Sequence, residues 1–430
     1  YFYLVFFIYF KCMKKTRFFY GMNYFLIVLL GWLLLLGKAA EVNREKKEVR
    51  ETDEKIKSEE VTKNNKAEEP SIRVLLTDSS WQSYYHPSVT IKYKGEEYTY
   101  TPDSPELEKE AVVINGEDDG IKVLSISRTR GIPLYYGTLE IRKTDKGLLL
   151  INQLPLEKYL EGVVPSEMPA SYHEQALMAQ AVCARTYAVC QLKEKHLEKE
   201  YGADVDDSVN YQVYGNLQGD EETNRAVRLT KGVIMCQNGE PVTAYYFSTS
   251  AGMTSTDEIW GADKAASYLK SVECDFDQNT PWSSWNVEIP WEILEGRLQD
   301  IDGSCTLEGI QIVKKSNSGA VTGVDLFTEK GNVNLEGEYK IREFFSPQTL
   351  SITEKDGTVI TGGKLLPSAY FELKTEAGQS VQILGKGYGH GVGMSQNGAN
   401  EMAKLGYGWR EILNYFFNNI TLEEWQKIAM

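Results

Sequence analysis

The chain has 430 residues, and 42% of them are hydrophobic, which suffices for a large core that folds without disulfide bridges. Its 46 Lys and Arg against 61 Asp and Glu give a formal net charge of −15. This balance argues against a nucleic-acid partner, because nucleic-acid binding requires a basic surface.

The first 40 residues predict a membrane span. Lys14, Lys15 and Arg17 precede an apolar run at 18–36 that is long enough to cross a bilayer with its N-terminus in the cytoplasm. A cleaved signal peptide is the alternative, although the residues after this run form a poor cleavage site. We therefore expect a signal-anchor helix within residues 13–40. The start residue stays open, because Met13 can be the start and residues 1–12 an upstream read-through.

Two further regions follow this segment. Residues 41–70 are almost wholly charged and polar, which predicts a solvated stalk. Residues 71–430 have a globular composition without internal repeats. Strand-like runs occur at 72–76, 89–93, 148–151, 233–247, 287–294 and 307–335, and an amphipathic helix is expected at 409–417. We predict an α+β fold in which a mixed, strand-rich body packs around a buried central helix, preceded by the transmembrane helix and the polar stalk.

Glu167 lies between Pro165 and Pro169, and the two prolines predict a stiff loop. A catalytic acid gains from being held in position in this way. The alternative is a carboxylate that only complements the N-terminus of the following helix. Spacing alone leaves both interpretations open.

The central helix is predicted directly after this loop. Ser171 and Glu174 form a capping-box pattern, and residues 172–197 contain neither Pro nor Gly. Small apolar residues recur on one face, which indicates burial. Buried polar side chains need partners; those in this helix are Gln180, Arg185 and Tyr187. Arg185 can hold a carboxylate, face a sugar hydroxyl or pair with a structural acid, and periodicity does not decide between these roles.

A glycine-rich segment at 385–399 is the second unusual feature. Alternate glycines indicate a backbone that comes close to a ligand or to another part of the chain. The spacing is not a dinucleotide-binding fingerprint, because no strand-to-helix unit with a ribose-binding acid follows it. His390, one of four histidines, is either structural or in contact with substrate.

Together these segments resemble the SpoIID/LytB family. The motifs that carry the resemblance are residues 159–169, 174–188 and 387–399, with looser matches at 211–215, 260–261 and 341–342. The resemblance implies a peptidoglycan lytic transglycosylase acting on glycan strands stripped of their peptides, with Glu167 as the catalytic acid. The substrate-binding candidates are Gln180, Arg185, Tyr187, Tyr388, His390, Ser395 and Gln396.

A single glutamate is chemically sufficient for this reaction. Most glycosidases need two carboxylates, whereas here the attacking group is the C6 hydroxyl of the substrate itself. One carboxyl can protonate the glycosidic oxygen and then accept the hydroxyl proton, which cleaves the MurNAc–GlcNAc bond and leaves a 1,6-anhydro end. Glu167 must then be protonated at rest, in a poorly solvated setting that raises its pKa. Val163, Val164 and Met168 are candidates to supply that setting.

The chain departs from the family in one respect that concerns metals. Some family members bind zinc through His and Cys in the segment after the central helix, but residues 203–212 contain neither. We therefore expect no metal and no cofactor. The six cysteines form no C-x-x-C pair, Cys183 and Cys190 lie too far apart on one helix for a bridge, and a pairing of Cys236 with Cys274 or Cys305 stays open. In the stretch 246–252, Phe247 and Ala251 replace a His and a Gly that relatives often carry.

The resemblance also implies partners, and the predicted span implies a location. The partners are peptidoglycan glycan strands and an amidase similar to stage II sporulation protein P, since the peptides must be removed first. The basic residues before the apolar run place the chain in the cell membrane, with a single span and residues 71–430 on the cell-wall side. The alternative function is a non-catalytic, wall-binding enhancer of an N-acetylmuramoyl-L-alanine amidase. Engulfment during sporulation, ordinary wall turnover and the oligomeric state are not decided by the sequence.

Overall fold

The structure, a computed structural model, describes residues 69–428 except 109–110, 117–118, 216–219, 304–305 and 377. The predicted segments 1–12 and 13–40, and all but the end of the stalk, lie outside these residues. Where the chain is described, no helix is both long and apolar enough to cross a bilayer. The longest described helix has 21 residues, and its apolar sequence is interrupted by Gln180 and Arg185. The predicted fold class is corrected accordingly: residues 69–428, where described, form a mixed α/β body with many strands, and no membrane-spanning helix is found among them.

The helices of the described part are α1 (Leu156–Glu167), α2 (Glu174–Glu194), α3 (Glu198–Tyr201), α4 (Glu221–Leu229), α5 (Trp291–Asp302), α6 (Glu338–Phe344), α7 (Gln396–Lys404) and α8 (Trp409–Phe416). The strands are β1 (Ser71–Leu75), β2 (Val89–Tyr93), β3 (Glu96–Tyr100), β4 (Ala111–Asn115), β5 (Ile121–Val123), β6 (Leu134–Tyr135), β7 (Thr138–Thr144), β8 (Gly147–Pro155), β9 (Val205–Asp206), β10 (Val233–Gln237), β11 (Glu240–Pro241), β12 (Tyr246–Phe247), β13 (Gly252–Met253), β14 (Glu273–Cys274), β15 (Trp285–Pro290), β16 (Leu307–Lys315), β17 (Val321–Thr328), β18 (Gly331–Glu336), β19 (Ser351–Glu354), β20 (Val359–Thr361), β21 (Phe371–Glu376), β22 (Ser380–Gly385), β23 (Met394–Ser395) and β24 (Thr421–Glu424).

Two sheets form the N-terminal part of the body. One has the order β4-β7-β8-β1-β9 and the other the order β3-β2-β5-β6. In the first sheet, β1 runs antiparallel to β8 and parallel to β9. The strands predicted at 72–76, 89–93 and 148–151 are confirmed as β1, β2 and β8. Strand β8 leads directly into α1, so the sheet fixes the start of the helix that carries Glu167.

Helix α2 is the central element of the body. Residues on all its faces are buried, which confirms the predicted central helix, and it contacts α1, α4, α7, α8 and β10. The helix begins later than its capping-box pattern predicts: His173 is the N-cap, and its Nδ1 accepts a hydrogen bond from the Gln175 amide at 3.3 Å. It ends at Glu194, and the C-cap Lys195 adopts the left-handed conformation with φ 55°.

The C-terminal part of the body has its own hydrophobic core. A sheet with the order β20-β19-β15-β22-β21 packs with a second sheet, β16-β17-β18, and with α5 and α6 around Trp285, Trp291 and Phe345. The chain then passes through the glycine-rich segment into α7 and α8, and β24 pairs with β10. The predicted amphipathic helix at 409–417 is confirmed as α8.

The cysteines that the structure describes are buried and unbridged. They are Cys183, Cys190, Cys236 and Cys274. The suggested pairing of Cys236 with Cys274 is therefore not present, and Cys305 lies outside the described residues.

Candidate active site

Glu167 is the last residue of α1, not part of a loop. Pro165 lies inside the final turn, and Met168 has extended backbone, with its amide donating to the Val164 carbonyl at 2.9 Å. The predicted stiff loop is therefore wrong, because burial of Val163 and Val164 keeps this segment helical in spite of the proline. The carboxyl consequently lies at the negative end of the helix dipole, which disfavours its ionised form.

The surroundings of the Glu167 carboxyl shift its acidity. The side chain keeps part of its surface open to solvent, yet the protein atoms packed around the carboxyl displace water and raise its pKa to about 7. Two hydrogen bonds oppose this shift: Oε1 accepts from the Val213 amide at 2.6 Å, and the Tyr246 hydroxyl donates to the carboxyl. Because burial outweighs both bonds, a large fraction of Glu167 is protonated near neutral pH.

Tyr246 is held in place by a buried glutamine. Gln212 Nε2 donates to the Tyr246 hydroxyl at 3.1 Å, and Gln212 Oε1 accepts from the Tyr159 hydroxyl at 3.3 Å. Burial, with the charge of Glu167 second, raises the pKa of Tyr246 well above its usual value, so the phenol remains a donor. Glu167, Val213, Tyr246, Gln212 and Tyr159 are called the Glu167 cluster below.

Gln212 and Tyr246 were not among the predicted site residues. Both lie in stretches that match the family, 211–215 and 246–252, and those stretches were the only signal available. The bond from Tyr246 to the Glu167 carboxyl, and that from Gln212 to Tyr246, require the fold, because Tyr246 is 79 positions along the chain from Glu167 (246 − 167).

The glycine-rich segment packs against the stretch that contains Tyr246. Strands β12 and β23 pair in parallel, and Tyr388 exchanges two backbone hydrogen bonds with Thr249, of 2.9 and 3.0 Å. Gly393 has φ +81°, and a Cβ at this position would collide with the backbone carbonyl of Tyr245. Of the two predicted reasons for the glycines, close approach to another part of the chain is therefore the one observed.

Gly393→Ala should destabilise the fold by more than about 2 kcal/mol, because a side chain at positive φ costs about 1–3 kcal/mol and the collision adds to this cost. Gly357→Ala is the matched control: its φ is also positive, +87°, but no atom lies within 4 Å of the added Cβ. Urea unfolding of both variants measures the difference. Equal changes in the unfolding midpoint of the two variants would show that backbone strain alone, without the collision, accounts for the cost of a side chain at position 393.

His390 contacts the backbone of Tyr246. Its Nδ1 accepts from the Val392 amide at 3.0 Å, and its ring donates to the Tyr246 backbone carbonyl. Burial, with the charge of Arg342 second, lowers the pKa of His390 to about 3. The imidazole is therefore neutral at physiological pH, with its proton assigned to Nε2, and cannot act as a general acid.

Aromatic side chains surround this histidine. The His390 ring centroid lies 5.2 Å from that of Trp260, 5.8 Å from that of Phe247 and 6.2 Å from that of Tyr245. Tyr187, a predicted site residue, joins them through Tyr245 at 6.4 Å. Trp260 is 40% exposed, so one face of this aromatic group is open to a ligand.

Of the two predicted glutamines, Gln396 contacts the backbone of Glu167 and Gln180 contacts Gln396. Gln396 Nε2 donates to the Glu167 carbonyl at 3.1 Å and lies 3.4 Å from Gln180 Oε1. Gln180 is fully buried, and its Nε2 has no hydrogen-bond partner among the described residues. The contact joins the start of α7 to the end of α1.

Ser395 and Tyr388 lie in different surroundings. Ser395 is fully buried, its hydroxyl donates to Asp277 Oδ2 at 2.6 Å, and its Oγ caps α7 by accepting from the Gly398 amide at 3.1 Å. Tyr388 is 42% exposed, and its ring packs on that of Trp282 with centroids 4.5 Å apart. Only Tyr388 of these two offers a surface that a ligand can reach.

Arg185 is fully buried and forms a two-pronged ion pair with Glu157. The pair has Nε–Oε1 and Nη2–Oε2 distances of 2.8 and 2.7 Å, and the guanidinium also donates to the carbonyls of Val227 and Val233. Of the three roles left open, pairing with a structural acid is the one these contacts describe. The pair joins α1 to α2 and so helps to fix the helix that ends in Glu167.

Glu157→Gln should lower the free energy of unfolding by about 3–5 kcal/mol, because it leaves a buried guanidinium without its counter-charge. Glu221→Gln on α4 is the matched control, since Glu221 pairs with Arg228 where both side chains are exposed. The control should cost less than about 1 kcal/mol. Urea titrations followed by circular dichroism measure both, and similar losses would contradict the structural importance of the buried pair.

The site therefore combines one carboxyl of raised pKa, a protonated phenol, a neutral imidazole and exposed aromatic rings. In the part of the chain that the structure describes, no group of three or more His, Cys, Asp and Glu side chains is arranged to hold a metal ion. A single carboxyl that is half-protonated near neutral pH can donate and accept protons in one reaction cycle. Such a perturbed carboxyl is typical of active sites.

Comparison with known proteins agrees with the motifs. The model of the SpoIID family, described as stage II sporulation protein, matches residues 144–236. Stage II sporulation protein D of Bacillus subtilis is 31% identical over 335 residues, which cover 75% of this chain and 87% of that protein. Its counterpart in Bacillus amyloliquefaciens is 31% identical over 288 residues, or 64% of this chain and 76% of that protein.

A protein named amidase enhancer, also from Bacillus subtilis, is 29% identical over 296 residues, which cover 61% of this chain. The match spans only 40% of the amidase enhancer's own length. The matching region of the family model contains α1, α2 and Gln212, but not the glycine-rich segment.

Proposed function

This chain belongs to the SpoIID/LytB family of sporulation-related cell-wall proteins, and from that membership and the Glu167 cluster we propose that it is a peptidoglycan lytic transglycosylase. It cleaves the bond between N-acetylmuramic acid and N-acetylglucosamine in peptide-stripped glycan strands and leaves 1,6-anhydro ends. The observation that carries the proposal is the single Glu167 carboxyl at the end of α1, which accepts from the Val213 amide and the Tyr246 hydroxyl in surroundings that raise its pKa to about 7.

The proposed mechanism uses Glu167 twice. The protonated carboxyl first gives its proton to the glycosidic oxygen as the bond to the muramic-acid C1 breaks. The resulting carboxylate then accepts the proton of the C6 hydroxyl as its oxygen bonds to C1 and closes the anhydro ring. The Tyr246 hydroxyl and the Val213 amide both stabilise the carboxylate between these steps. The proton returns to Glu167 at the end, so the cycle consumes no water.

In this proposal, the exposed aromatic side chains of the site contact the substrate. Tyr388 and Trp260 offer open aromatic surfaces on which sugar rings can stack. His390 supports Trp260 directly, and Tyr187 does so through Tyr245. Gln180 and Gln396 position the end of α1. Arg185 and Ser395 serve the same site indirectly, through Glu157 and α7.

The proposed setting is the cell-wall side of the membrane, beside an amidase that first removes the peptides. The relative named amidase enhancer supports an amidase partner, and it also favours a second candidate function. In that alternative, the chain binds stripped glycan and presents it to the amidase without cleaving it. The raised pKa of Glu167 is the reason to prefer the enzyme.

The two candidates give different products. We expect the purified full chain, incubated with sacculi treated beforehand with an amidase, to release anhydromuramic-acid fragments that mass spectrometry detects. Untreated sacculi should release far fewer, because their peptides remain. Glycan that sediments with the protein but yields no anhydro ends would favour the enhancer instead.

A further inference from the structure

An open cavity of about 600 Å³ lies outside the Glu167 cluster, in the C-terminal part of the body. The end of β16, the turn after it, and strands β15, β19, β21 and β22 form its walls. The size is within the range of small-molecule sites, about 300–1,000 Å³. The cavity is called the lysine cavity, after Lys315, Lys355 and Lys386, which line it.

The reachable part of the lining is mainly polar. The neutral polar side chains include Asn286, Ser318 and Thr353, which are half-buried. Trp285, Tyr370 and Phe371 form the floor behind them and are almost wholly buried. A concave surface with several hydrogen-bonding groups suits the rim of hydroxyls of a pyranose ring.

The charges of the cavity distinguish it from the rest of the protein. Three lysines face two acids, Glu354 and Glu372, so the lining carries one net positive charge on a chain of net charge −15. Lys355 donates to the carbonyl of Gln278. No ion pair among the described residues includes Lys315 or Lys386, which leaves both ammonium groups available to an anion.

Two segments connect this cavity to the candidate active site. Lys386 lines the cavity and lies four positions before His390 in the glycine-rich segment. Ala251 also lines it and lies five positions after Tyr246, so at most about 18 Å of chain separates the cavity wall from the Glu167 cluster. The indole of Trp285 donates to the Gly387 carbonyl at 2.9 Å and so fixes the cavity wall to the same segment.

We propose that the lysine cavity is a second glycan subsite, which binds an acidic N-acetylhexosamine unit of the strand at a distance from the bond that is cleaved. The lactyl carboxylate of a muramic-acid unit pairs with Lys315 and Lys386, and the sugar hydroxyls bond to the side chains of Asn286, Ser318 and Thr353. This inference rests on the proposed function for its choice of ligand. The subsite would hold a long strand in register while Glu167 acts on it.

The test measures binding separately from cleavage. The full chain carrying Glu167→Gln is titrated with peptide-stripped glycan strands, with and without Lys315→Gln and Lys386→Gln together. Exposed charge pairs contribute up to about 1 kcal/mol each, so we expect the double change to weaken binding about tenfold. The fold-change should be smaller at high salt, which screens the charges. Lys122→Gln with Lys143→Gln removes the same charge from exposed positions elsewhere and should leave the dissociation constant nearly unchanged.

A chemical control identifies the group that is bound. Strands whose muramic-acid carboxyls have been converted to amides should bind the Glu167→Gln chain about tenfold more weakly, and the lysine changes should then have no further effect. Equal losses of glycan affinity in the Lys315/Lys386 and Lys122/Lys143 double variants would overturn the proposal. A loss of affinity on changing Lys315 and Lys386 that persists with amidated strands would also overturn it. Loss of binding to a polyphosphate wall polymer, with glycan binding intact, would also overturn it. Because cleavage is not measured, failure of the transglycosylase proposal would leave this result unaffected.

Discussion

Glu167→Gln should lower the rate of anhydro-end formation by about 10²–10⁴-fold, the range in which a positioned general acid and base contributes. The amide keeps the size of the side chain and retains an oxygen that can accept from the Val213 amide, now 2.6 Å from Oε1. It cannot donate a proton to the glycosidic oxygen or take one from the C6 hydroxyl. The measurement is the initial rate of anhydromuramic-acid release from amidase-treated sacculi.

Glu161→Gln is the matched control for this experiment. Glu161 lies on the same helix and pairs with Lys158 at 2.7 Å, but it is not part of the Glu167 cluster. The control should retain nearly the full rate. The Glu167→Gln chain should also unfold at the same or a higher urea concentration than the original, since an amide loses less hydration than a carboxylate on burial. Undiminished release by a folded Glu167→Gln chain would exclude Glu167 as the acid.

Sequence motifs select two residues that the structure places close together in the candidate site. Glu167 and His390 were selected by two short segments 223 positions apart (390 − 167), and the structure brings both residues to Tyr246. The central helix was predicted because its apolar residues recur at helical spacing and no Pro or Gly interrupts it. These features are local in the sequence, which is why they could be recognised.

The errors arose where tertiary packing outweighed a local rule. Pro165 was expected to hold a loop, but the buried residues before it keep α1 helical to Glu167. The cap of α2 moved from Ser171 to His173, whose amide donates to Asn400 Oδ1 at 2.9 Å, 227 positions away. Contacts of this range are invisible to patterns read over a few residues.

The same limit explains why the surroundings of Glu167 were missed. Val163, Val164 and Met168 were expected to supply a poorly solvated setting, and they are buried. The atoms that hydrogen bond to the carboxyl come from Val213 and Tyr246, on two other parts of the chain. Burial could be anticipated from the neighbouring residues, but the partners could not.

The pH dependence of the reaction should follow the Glu167 carboxyl. Its pKa is raised to about 7 by burial, and the reaction requires the protonated form, so kcat/KM should be high below pH 7 and fall about tenfold per pH unit above it. His390, with a pKa of about 3, does not titrate in this range. Initial rates between pH 5.5 and about 9 on stripped glycan measure this descending limb.

Tyr246→Phe should shift this pH profile. The Tyr246 hydroxyl bonds to the ionised carboxyl and thereby lowers the pKa of Glu167, so its removal should move the descending limb to higher pH. Tyr245→Phe removes a hydroxyl from the neighbouring residue and should leave the limb where it is. An unchanged limb in Tyr246→Phe, or equal shifts in both variants, would contradict the assignment of Tyr246 to the Glu167 carboxyl.

The free energy of unfolding should also depend on the Glu167 carboxyl, and it should fall as the pH rises. Since the pKa of Glu167 rises on folding, its protonated form favours the folded state below the unfolded value of 4.5, and this contribution is lost as the pH rises to about 7. Asp277, whose pKa burial raises to about 6, adds a similar loss between 3.8 and about 6. Glu167→Gln should therefore reduce the fall in unfolding free energy between pH 6 and 7, where Asp277 contributes less than Glu167. A slope as steep as that of the original chain would mean that another group titrates there, and the limb of kcat/KM could then no longer be assigned to Glu167.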